Sequence, residues 1–391
     1  MIITQKPSIL IVHNTYLYKG GEGTVVNNEI EILKNNGYTV YYKEYTNANF
    51  DKKNLKTLLA PINTIFNVFS FFHVIYFIRL KKIKIVHVHN IFYTASPSVF
   101  WAAKLAGAKT VMTIHNYRLF CLSANFFRNG KNCFECNEDN SFKKGIEYKC
   151  FKKSWFASFA LTVSIRVNDW IGSWKNKIDY YIVLNEFTKQ LYINKGIQAE
   201  KIILKANFLP SQDANYLPTI KKEGAYLFIG RITEEKGIHH LIDTFSNTNK
   251  NLIIAGTGDL VDFVANLNSP NIIYLGPQTK QQVQQLLHKC KALIFPSIWI
   301  ESMPMTLIEA QTMGTIPIVA ASINTNNMIE HGVDGFLYDA TSPNALLETI
   351  MYFDSLSISE LQTISNNARN KSLKLYGEIV HIKKIKEIYG T

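Results

Sequence analysis

The 391 residues of this chain are 47% hydrophobic and 18% charged, with a net charge of +12. This balance is typical of a folded protein with room for two domains, and it excludes extended disorder. Residues 1–13 carry no signal-peptide cleavage pattern, so we expect a cytoplasmic protein whose first apolar run is a buried strand.

The first half of the chain alternates short apolar runs with longer amphipathic segments. This pattern predicts βαβ units and a parallel sheet. The predicted strands cover residues 8–13, 39–45, 85–89, 110–115, 180–184 and 202–205. The long apolar stretch at residues 62–80 is interrupted by polar side chains, so it does not predict a membrane-spanning helix.

The positive charge is concentrated in this half. Residues 1–207 hold 28 lysines and arginines against 13 acidic residues, a net charge of +15, whereas the rest of the chain is at −3. No nucleic-acid-binding module is present, and the basic runs at residues 79–84 and 143–153 lie beside aromatic and aliphatic residues. Each basic side chain near anionic lipid contributes on the order of 1 kcal/mol. We therefore expect a peripheral protein at the inner face of the cell membrane; the alternative is a solvated basic face without a partner.

The second half repeats the βαβ pattern. Its predicted strands cover residues 225–229, 251–255, 271–275, 292–295, 316–320 and 335–338. Residues 208–223, with two prolines and no clear period, are the predicted linker. The sequence thus predicts domains at residues 1–207 and 224–375, with a helix at residues 376–391 crossing back to the first domain.

Ligands of parallel α/β sheets bind beyond the carboxyl ends of the strands. In the first half, the histidines His13, His89 and His115 stand at such ends, which favours a shared site. The turn at Gly20-Gly21 opens a helix, and its backbone can approach a phosphate without a Cβ clash. A tight turn without a ligand is the alternative.

In the second half, Gly230 and Arg231 end the first strand and Lys236 starts the helix that follows. Two fixed cations in a poorly hydrated site can stabilise a diphosphate leaving group. These residues are therefore predicted to act on an anionic ligand.

Two carboxylates, Glu301 and Glu309, flank a loop that runs into a helix. The unpaired N–H groups of a helix start attract anions such as a diphosphate. Carboxylates repel phosphate, so their presence beside a phosphate-binding site (the phosphate seat) is explained if they accept hydrogen bonds from sugar hydroxyls. A ligand with a diphosphate between two sugars is a nucleotide sugar. The residues predicted to form the seat are Ser302, Met303, Pro304, Met305 and Thr306.

Four of the five cysteines, Cys121, Cys133, Cys136 and Cys150, lie within one polar segment. The spacing of Cys133 and Cys136 is that of a zinc knuckle, and a cytoplasmic chain disfavours disulfides. The segment predicts a structural zinc site, with acceptor-loop packing by free thiols as the alternative.

The chain resembles the retaining glycosyltransferases of family 4, which have the two-domain GT-B fold. The resemblance covers nearly the whole chain and rests on these motifs: the Gly20-Gly21 turn, residues 113–116, Gly230-Arg231 with Lys236, residues 295–297, and the Glu301 to Glu309 segment with Gly314 and Pro317. It implies two Rossmann-like doubly wound parallel-sheet domains facing a cleft. The motif departs from the family where Ser302 and Met303 replace the usual glycine and phenylalanine or leucine.

The resemblance also implies residue roles. Arg231 and Lys236 would contact the donor diphosphate, Glu301 and the backbone of residues 302–305 would hold the transferred sugar, and Glu309 would bind the ribose. His115 would act near the sugar, and Gly21 would lie close to the phosphates. Catalysis would need no metal or other cofactor, and the chain has no Asp-x-Asp sequence.

By this resemblance the partners are a nucleotide-diphosphate sugar and a saccharide or polyprenyl-diphosphate-linked acceptor in capsule, lipopolysaccharide or exopolysaccharide synthesis. Two other functions remain open from the sequence. One is a nucleotide-sugar epimerase of the same fold, and the other is a non-catalytic GT-B partner subunit.

Overall fold

The computed structural model describes residues 6–15, 21–47, 60–211 and 224–391. They form two compact units. The first spans Met1–Asn125, Phe134–Asn207 and His381–Thr391, and the second spans Phe126–Cys133 and Phe208–Val380. Most of the predicted linker, residues 212–223, lies outside the described residues, as does Gly20.

The first unit is built on a six-stranded parallel sheet. Its strands are β1 (Ile9–Thr15), β2 (Val40–Thr46), β3 (Ile85–Asn90), β4 (Lys109–Ile114), β7 (Tyr180–Val183) and β8 (Ile202–Leu204). The two remaining strands of this part of the chain, β5 (Phe127–Arg128) and β6 (Lys131–Asn132), form a short hairpin that is grouped with the second unit. The sheet order is β2-β1-β3-β4-β7-β8. The central strands β1 and β3 are buried almost throughout, because helices cover both faces of a parallel sheet.

The helices of the first unit connect these strands. They are α1 (Gly21–Asn35), α2 (Ala60–Ile65), α3 (Val68–Lys81), α4 (Ser98–Leu105), α5 (Glu135–Glu138), α6 (Lys143–Glu147), α7 (Trp155–Trp170), α8 (Ser173–Asn176) and α9 (Glu186–Asn194). Asn67 interrupts the apolar stretch predicted at residues 62–80, since its side chain accepts a hydrogen bond from Ser70 N and starts α3. Among the described helices, none is long and apolar enough to cross a membrane.

The second unit has its own six-stranded parallel sheet. The strands are β9 (Tyr226–Ile229), β10 (Leu252–Ala255), β11 (Ile272–Tyr274), β12 (Leu293–Phe295), β13 (Pro317–Ala320) and β14 (Phe336–Tyr338), in the order β11-β10-β9-β12-β13-β14. The chain starts at β9, runs outward to β11, and returns to the other side of β9 with β12. The point where the order reverses therefore lies between β9 and β12.

The helices of the second unit pack around this sheet. They are α10 (Ile238–Ser246), α11 (Val261–Ala265), α12 (Lys280–Lys289), α13 (Met305–Thr312), α14 (Ala345–Ser355) and α15 (Ile358–Tyr376). The helix α16 (Glu378–Tyr389) follows, and from His381 onward it is grouped with the first unit. Capping boxes at Thr279 and Ser357 start α12 and α15.

All twelve predicted strands are present, each within two residues of the predicted bounds. The α/β class and the two doubly wound parallel sheets are confirmed. The β5–β6 hairpin was not predicted, because its two-residue strands are too short to show a period.

Candidate functional site

The strongest candidate site in the second unit lies where its sheet reverses strand order. Ligands of open α/β sheets bind at this point, beyond the carboxyl ends of the two strands. The residues after β9 are Gly230 and Arg231, and the loop after β12 leads from Pro296 to Glu301. The topology thus brings the predicted cations and the first predicted glutamate to the same edge of the sheet.

Glycines let the loops at this edge meet through their backbones. Gly237 has φ +71°, and a Cβ there would lie 2.0 Å from the Pro296 carbonyl oxygen. A Cβ at Gly256 would lie 1.8 Å from the Gly230 carbonyl oxygen. Both contacts exclude a side chain and hold the loops after β9, β10 and β12 together. Gly256 was not among the predicted site residues; the Gly256-Thr257-Gly258 turn directly after a strand was the signal for it.

Glu301 is the centre of a hydrogen-bond cluster. Its Oε1 accepts from Lys236 Nζ at 2.5 Å, from Ser297 Oγ at 2.7 Å and from Trp299 Nε1 at 2.6 Å. The residue is only 5% exposed. Three donors on one buried carboxylate oxygen fix the orientation of the side chain. The backbone is held as well, because Asn324 Nδ2 donates to the Glu301 carbonyl oxygen at 2.5 Å.

Trp299 brings the two predicted cations together. The Arg231 guanidinium lies 5.7 Å and the Lys236 ammonium 5.4 Å from the centre of the Trp299 ring. Such cation–π contacts contribute about 0.5–2 kcal/mol each, depending on exposure. Arg231 also contacts Glu235 at 3.1 Å, and its side chain stays 55% exposed. The structure therefore groups Arg231, Lys236 and Glu301 around a tryptophan that the sequence analysis did not single out.

The helix α13 begins directly after this cluster. Its N-cap is Pro304, whose side chain makes no capping hydrogen bond, and its first turn contains no acidic residue. The positive end of the α13 dipole is therefore not offset by a carboxylate within its first turn. The structure places the predicted phosphate seat, residues 302–306, at this helix start. Its role in ligand binding stays a prediction.

Glu309 lies one turn further along α13 and is half-buried. It lines a groove together with six other residues of the second unit. They are Leu209, Lys280, Val283, Gln284, Leu287 and Met313. Its predicted contact with a ribose stays a prediction.

In the first unit, the predicted site residues lie at the ends of β1 and β4. Gly21 begins α1, and a Cβ there would meet no atom of the described residues within 4 Å. His13 Nε2 lies 2.9 Å from Glu22 Oε1 in the first turn of α1. His115 directly follows β4, is half-buried, and its Nε2 lies 3.0 Å from His89 Nδ1.

Behind His115 lies a buried polar cluster that the sequence analysis did not anticipate, formed by Glu29, His87, His89, Lys205 and His381. His87 and His89 are two residues apart on β3, so both point to the same face of the sheet, where Glu29 of α1 lies. The Glu29 carboxylate is 3.0 Å from His87 Nδ1, 3.6 Å from His89 Nε2 and 3.7 Å from Lys205 Nζ. The alternating Ile-Val-His-Val-His pattern was the available signal, since two histidines in a buried strand need polar partners.

The charges in this cluster follow from burial and proximity. Burial opposes ionisation of Glu29, but the Lys205 ammonium and the His87 imidazole hold the pKa of the carboxyl well below its usual range. Burial lowers the pKa of His89 to about 4 and that of His115 to about 3. Near neutral pH the cluster therefore contains an ionised Glu29 beside the neutral imidazole of His89.

Two groups of residues bear on metal binding. Glu29, His87 and His89 offer three ligand atoms within 4.8 Å of one another. They are fully buried, and the Lys205 ammonium already balances the carboxylate, so a divalent ion would lie beside a fixed positive charge. Of the four cysteines predicted to bind zinc, Cys133 is grouped with the second unit and the other three with the first. The zinc site stays a prediction.

The chain is similar in sequence to known glycosyltransferases. Residues 213–371 match the family model described as glycosyl transferases group 1. The UDP-Gal:alpha-D-GlcNAc-diphosphoundecaprenol alpha-1,3-galactosyltransferase of Escherichia coli is 23% identical over 85% of this chain and 82% of its own length. The capsular polysaccharide biosynthesis glycosyltransferase CapM of Staphylococcus aureus is 23% identical over 51% of this chain and 53% of its own length.

Solved structures share the whole fold. HepE of Anabaena, in a crystal structure with UDP, superposes with a TM-score of 0.70 at 15% identity, over 98% of this chain and 99% of that one. A glycosyltransferase from Rickettsia africae superposes with a TM-score of 0.69 at 20% identity, over 98% of both chains. The chain has the two-sheet α/β fold of these proteins, and the family match, the relatives and the fold together support a glycosyltransferase of the GT-B type.

Proposed function

We propose that this protein is a retaining, metal-independent hexosyltransferase that moves a sugar from a UDP-sugar to a lipid-linked saccharide. The observation that carries the proposal is the convergence of Glu301, Lys236 and Arg231 on Trp299 at the strand-order reversal of the second unit. A carboxylate, two cations and an open helix N-terminus at one sheet edge are the groups that a sugar linked to a diphosphate requires.

Each group has a distinct task in this proposal. The N-terminus of α13 and the Lys236 and Arg231 side chains stabilise the charge that develops on the diphosphate as the sugar leaves. Glu301 accepts hydrogen bonds from hydroxyls of the transferred sugar and keeps its orientation through Ser297 and Trp299. Glu309 binds the ribose hydroxyls.

The bond changes balance without an enzymic nucleophile. The bond between the anomeric carbon and the β-phosphate oxygen breaks, and a bond forms between that carbon and the acceptor oxygen on the same face. The acceptor hydroxyl gives its proton to the leaving diphosphate. Arg231, Lys236 and the helix N-terminus supply the positive charge at the diphosphate, so we expect full activity in the presence of EDTA.

The acceptor and the pathway are proposed from the relatives. The E. coli relative is named for transfer from UDP-galactose to a GlcNAc-diphosphoundecaprenol, and the S. aureus relative is named for capsule biosynthesis. UDP and UDP-glucose are bound in crystal structures of the Anabaena neighbour. A polyprenyl-diphosphate saccharide in surface polysaccharide synthesis is therefore the acceptor class that we propose.

A lipid-linked acceptor requires access to a membrane, and the first unit has a suitable surface. The helix α3 exposes Phe69 at 85%, Phe72 at 63% and Tyr76 at 65%. These residues recur every three to four positions, so they lie on one side of the helix. Exposed basic residues follow at the end of α3 and beyond it, namely Arg79, Lys81, Lys82 and Lys84.

A second helix with exposed aromatic side chains, α7, packs against α2, the helix that precedes α3 in the chain. On α7, Trp155, Phe156 and Trp170 are exposed at 52%, 64% and 86%, and Lys152 and Lys153 precede the helix. Ser164 and Asn168 of α7 donate hydrogen bonds to the carbonyl oxygens of Thr64 and Ile65 at the end of α2. Aromatic side chains beside basic ones suit the headgroup region of an anionic bilayer.

Co-sedimentation with lipid vesicles tests this surface. We expect binding to anionic vesicles that weakens as salt rises, because the Debye length is only about 8 Å at physiological ionic strength. The triple variant Phe69→Ser, Phe72→Ser, Tyr76→Ser should lose most of the binding, whereas Tyr352→Ser, which changes a tyrosine of the second unit that is 54% exposed, should retain it. Equal binding to neutral and anionic vesicles would contradict the electrostatic part.

The function itself is tested by a matrix of donors and acceptors. Purified protein is incubated with UDP-galactose, UDP-glucose and UDP-N-acetylglucosamine against polyprenyl-diphosphate GlcNAc in vesicles, and products are identified by mass spectrometry. We expect addition of one sugar with release of UDP, no loss of rate with EDTA, and loss in Glu301→Gln but not in Glu348→Gln, which changes an exposed glutamate. UDP-sugar interconversion without transfer would instead favour an epimerase.

A further inference from the structure

The inference concerns the contacts that lead from Glu29 through His89 to His115, all within the first unit. His115 Nε2 lies 3.0 Å from His89 Nδ1, and the other nitrogen of His89, Nε2, lies 3.6 Å from Glu29 Oε1. Glu29 is 1% exposed and His89 2% exposed. Neither Glu29 Oε1 nor His89 Nε2 has a well-aligned hydrogen-bond partner among the described residues. Glu29 Oε1 also lies 3.0 Å from His87 Nδ1, so this oxygen faces both imidazoles of β3.

The neighbouring side chains fix the positions of the His89 ring and the Glu29 carboxylate. His87 stacks on one side of His89, with ring centres 4.5 Å apart, and His115 lies on the other side at 5.3 Å. The second oxygen of Glu29 faces Lys205 at 3.7 Å and His381 at 3.5 Å. These contacts keep the carboxylate ionised and turn its Oε1 toward β3.

Hydrogen-bond chemistry then assigns the protons. The His89 Nε2 contact with Glu29 Oε1, at 3.6 Å, is electrostatic rather than a hydrogen bond, and the negative carboxylate favours the proton on the nitrogen of His89 that faces it. In a neutral imidazole the other nitrogen is then an acceptor, and His89 Nδ1 can only receive a hydrogen bond. His115 must donate from Nε2, which leaves its Nδ1 as a lone pair at the carboxyl end of β4.

We propose that Glu29 and His89 are positioning residues that hold His115 in the Nε2–H tautomer and present its Nδ1 as a hydrogen-bond acceptor for a substrate hydroxyl. The substrate part of this proposal rests on the proposed function, with His115 in the role near the sugar that the family resemblance implies. The tautomer part rests only on the contacts within the first unit.

A purely structural role for the cluster predicts something different. Packing alone would be served by either tautomer of His115, since a hydrogen bond between two imidazoles can run in both directions. The orientation matters only if one particular nitrogen of His115 must stay unprotonated. The distinguishing observation is therefore the tautomer and its effect on turnover.

The direct test is a long-range ¹H–¹⁵N spectrum of the full-length protein with ¹⁵N-labelled histidine, in which His115→Gln identifies the His115 signals. We expect the Nε2–H tautomer of His115 in the wild type. Observation of the Nδ1–H tautomer or of imidazolium at neutral pH would overturn the proposal, whatever the protein catalyses.

Glu29→Gln tests whether the Glu29 carboxylate determines which nitrogen of His89 and of His115 carries the proton. A glutamine can donate to His89 Nε2, which reverses both imidazoles and leaves His115 with its proton on Nδ1. We expect the reversed tautomer, a fall in kcat of about 10- to 100-fold from the lost acceptor, and a donor KM within about twofold. A folded Glu29→Gln protein with the wild-type tautomer of His115 and the wild-type kcat would refute the positioning role of Glu29 and His89.

Two further variants separate positioning from general damage to the core. Tyr389→Phe removes the hydroxyl that lies 2.8 Å from His87 Nδ1 in the same cluster but leaves the His89–His115 contact intact. It should keep both tautomer and kcat. In the His115→Gln background, Glu29→Gln should cost nothing more in kcat, and an additive loss would show that Glu29 acts on the fold instead. If Glu29→Gln does not fold, His89→Gln in its place and the wild-type spectrum decide the question.

Discussion

Replacing Glu301 by glutamine is the most informative perturbation of the proposed donor site. Glutamine keeps the size of the side chain and an acceptor oxygen, but it removes the charge that faces Lys236 at 2.5 Å. In the proposed mechanism this change affects the transferred sugar and the orientation of the cation, whereas the nucleotide keeps its contacts with Glu309 and the helix start. Turnover and nucleotide affinity should therefore separate.

The magnitudes follow from the burial of the pair. Glu301 and Lys236 side chains are 7% and 13% exposed, so solvent screens their attraction only weakly. Hydrogen bonds to a charged group contribute about 1.5–3 kcal/mol each, and breaking a buried pair typically costs about 3–5 kcal/mol. Because glutamine still accepts from Ser297 and Trp299, we expect a loss of about 2–3 kcal/mol in the free energy of unfolding, together with a fall in kcat of about 100-fold or more.

Three measurements check this prediction together. Denaturant unfolding gives the stability change, single-turnover transfer from a UDP-sugar gives the rate, and calorimetry gives the affinity for UDP. Glu348→Gln is the control, since it changes an exposed glutamate of the same unit. A Glu301→Gln enzyme with wild-type turnover would refute the assignment, and a loss of UDP affinity equal to the loss of rate would place Glu301 on the nucleotide instead.

Four other changes test separate parts of the account. Glu309→Ala should weaken UDP affinity by about 1–3 kcal/mol in calorimetry, and unchanged affinity would remove the ribose role. Trp299→Phe keeps a ring for the cations but loses the donor to Glu301, so single-turnover rates should fall about 10-fold with little change in UDP affinity. Gly256→Ala should lower the free energy of unfolding by about 2 kcal/mol or more, because its Cβ would meet the Gly230 carbonyl oxygen at 1.8 Å; wild-type stability would contradict that contact. Burial lowers the pKa of His89 to about 4 in the folded protein, so between pH 6.5 and 4 the unfolded chain binds a proton that the folded protein does not. The free energy of unfolding should therefore be constant above pH 6.5 and fall by on the order of 3 kcal/mol towards pH 4. His89→Gln should flatten that decline, and an unchanged slope would contradict the neutral buried imidazole.

The sheets and the grouping of residues in the candidate site of the second unit could be predicted from sequence because their signals are local. Buried parallel strands are short apolar runs, and the loops that follow them carry glycine, arginine and glutamate at fixed positions. Glu301, Lys236 and Arg231 were identified in this way, and the reversal of strand order between β9 and β12 brings them together.

What the sequence did not show depends on contacts between distant segments. In the sequence Trp299 is an ordinary aromatic residue of a loop. Only the structure shows that its indole N–H donates a hydrogen bond to Glu301. Glu29 lies on the helix α1, where a glutamate is normally expected to face solvent. Only the tertiary packing places it against two histidines of β3. Buried polar partners of this kind have no sequence spacing, because each member comes from a different element.

The linkage formed by the enzyme tests the central proposal most directly. The protein is incubated with a UDP-α-sugar and polyprenyl-diphosphate GlcNAc in the presence of EDTA, and the anomeric configuration of the isolated product is read from its proton coupling constant by NMR. The account predicts an α-linked product that forms without a metal and is lost in Glu301→Gln. A β-linked product, or transfer that stops when divalent ions are removed, would contradict the mechanism assigned to Glu301, Lys236 and Arg231.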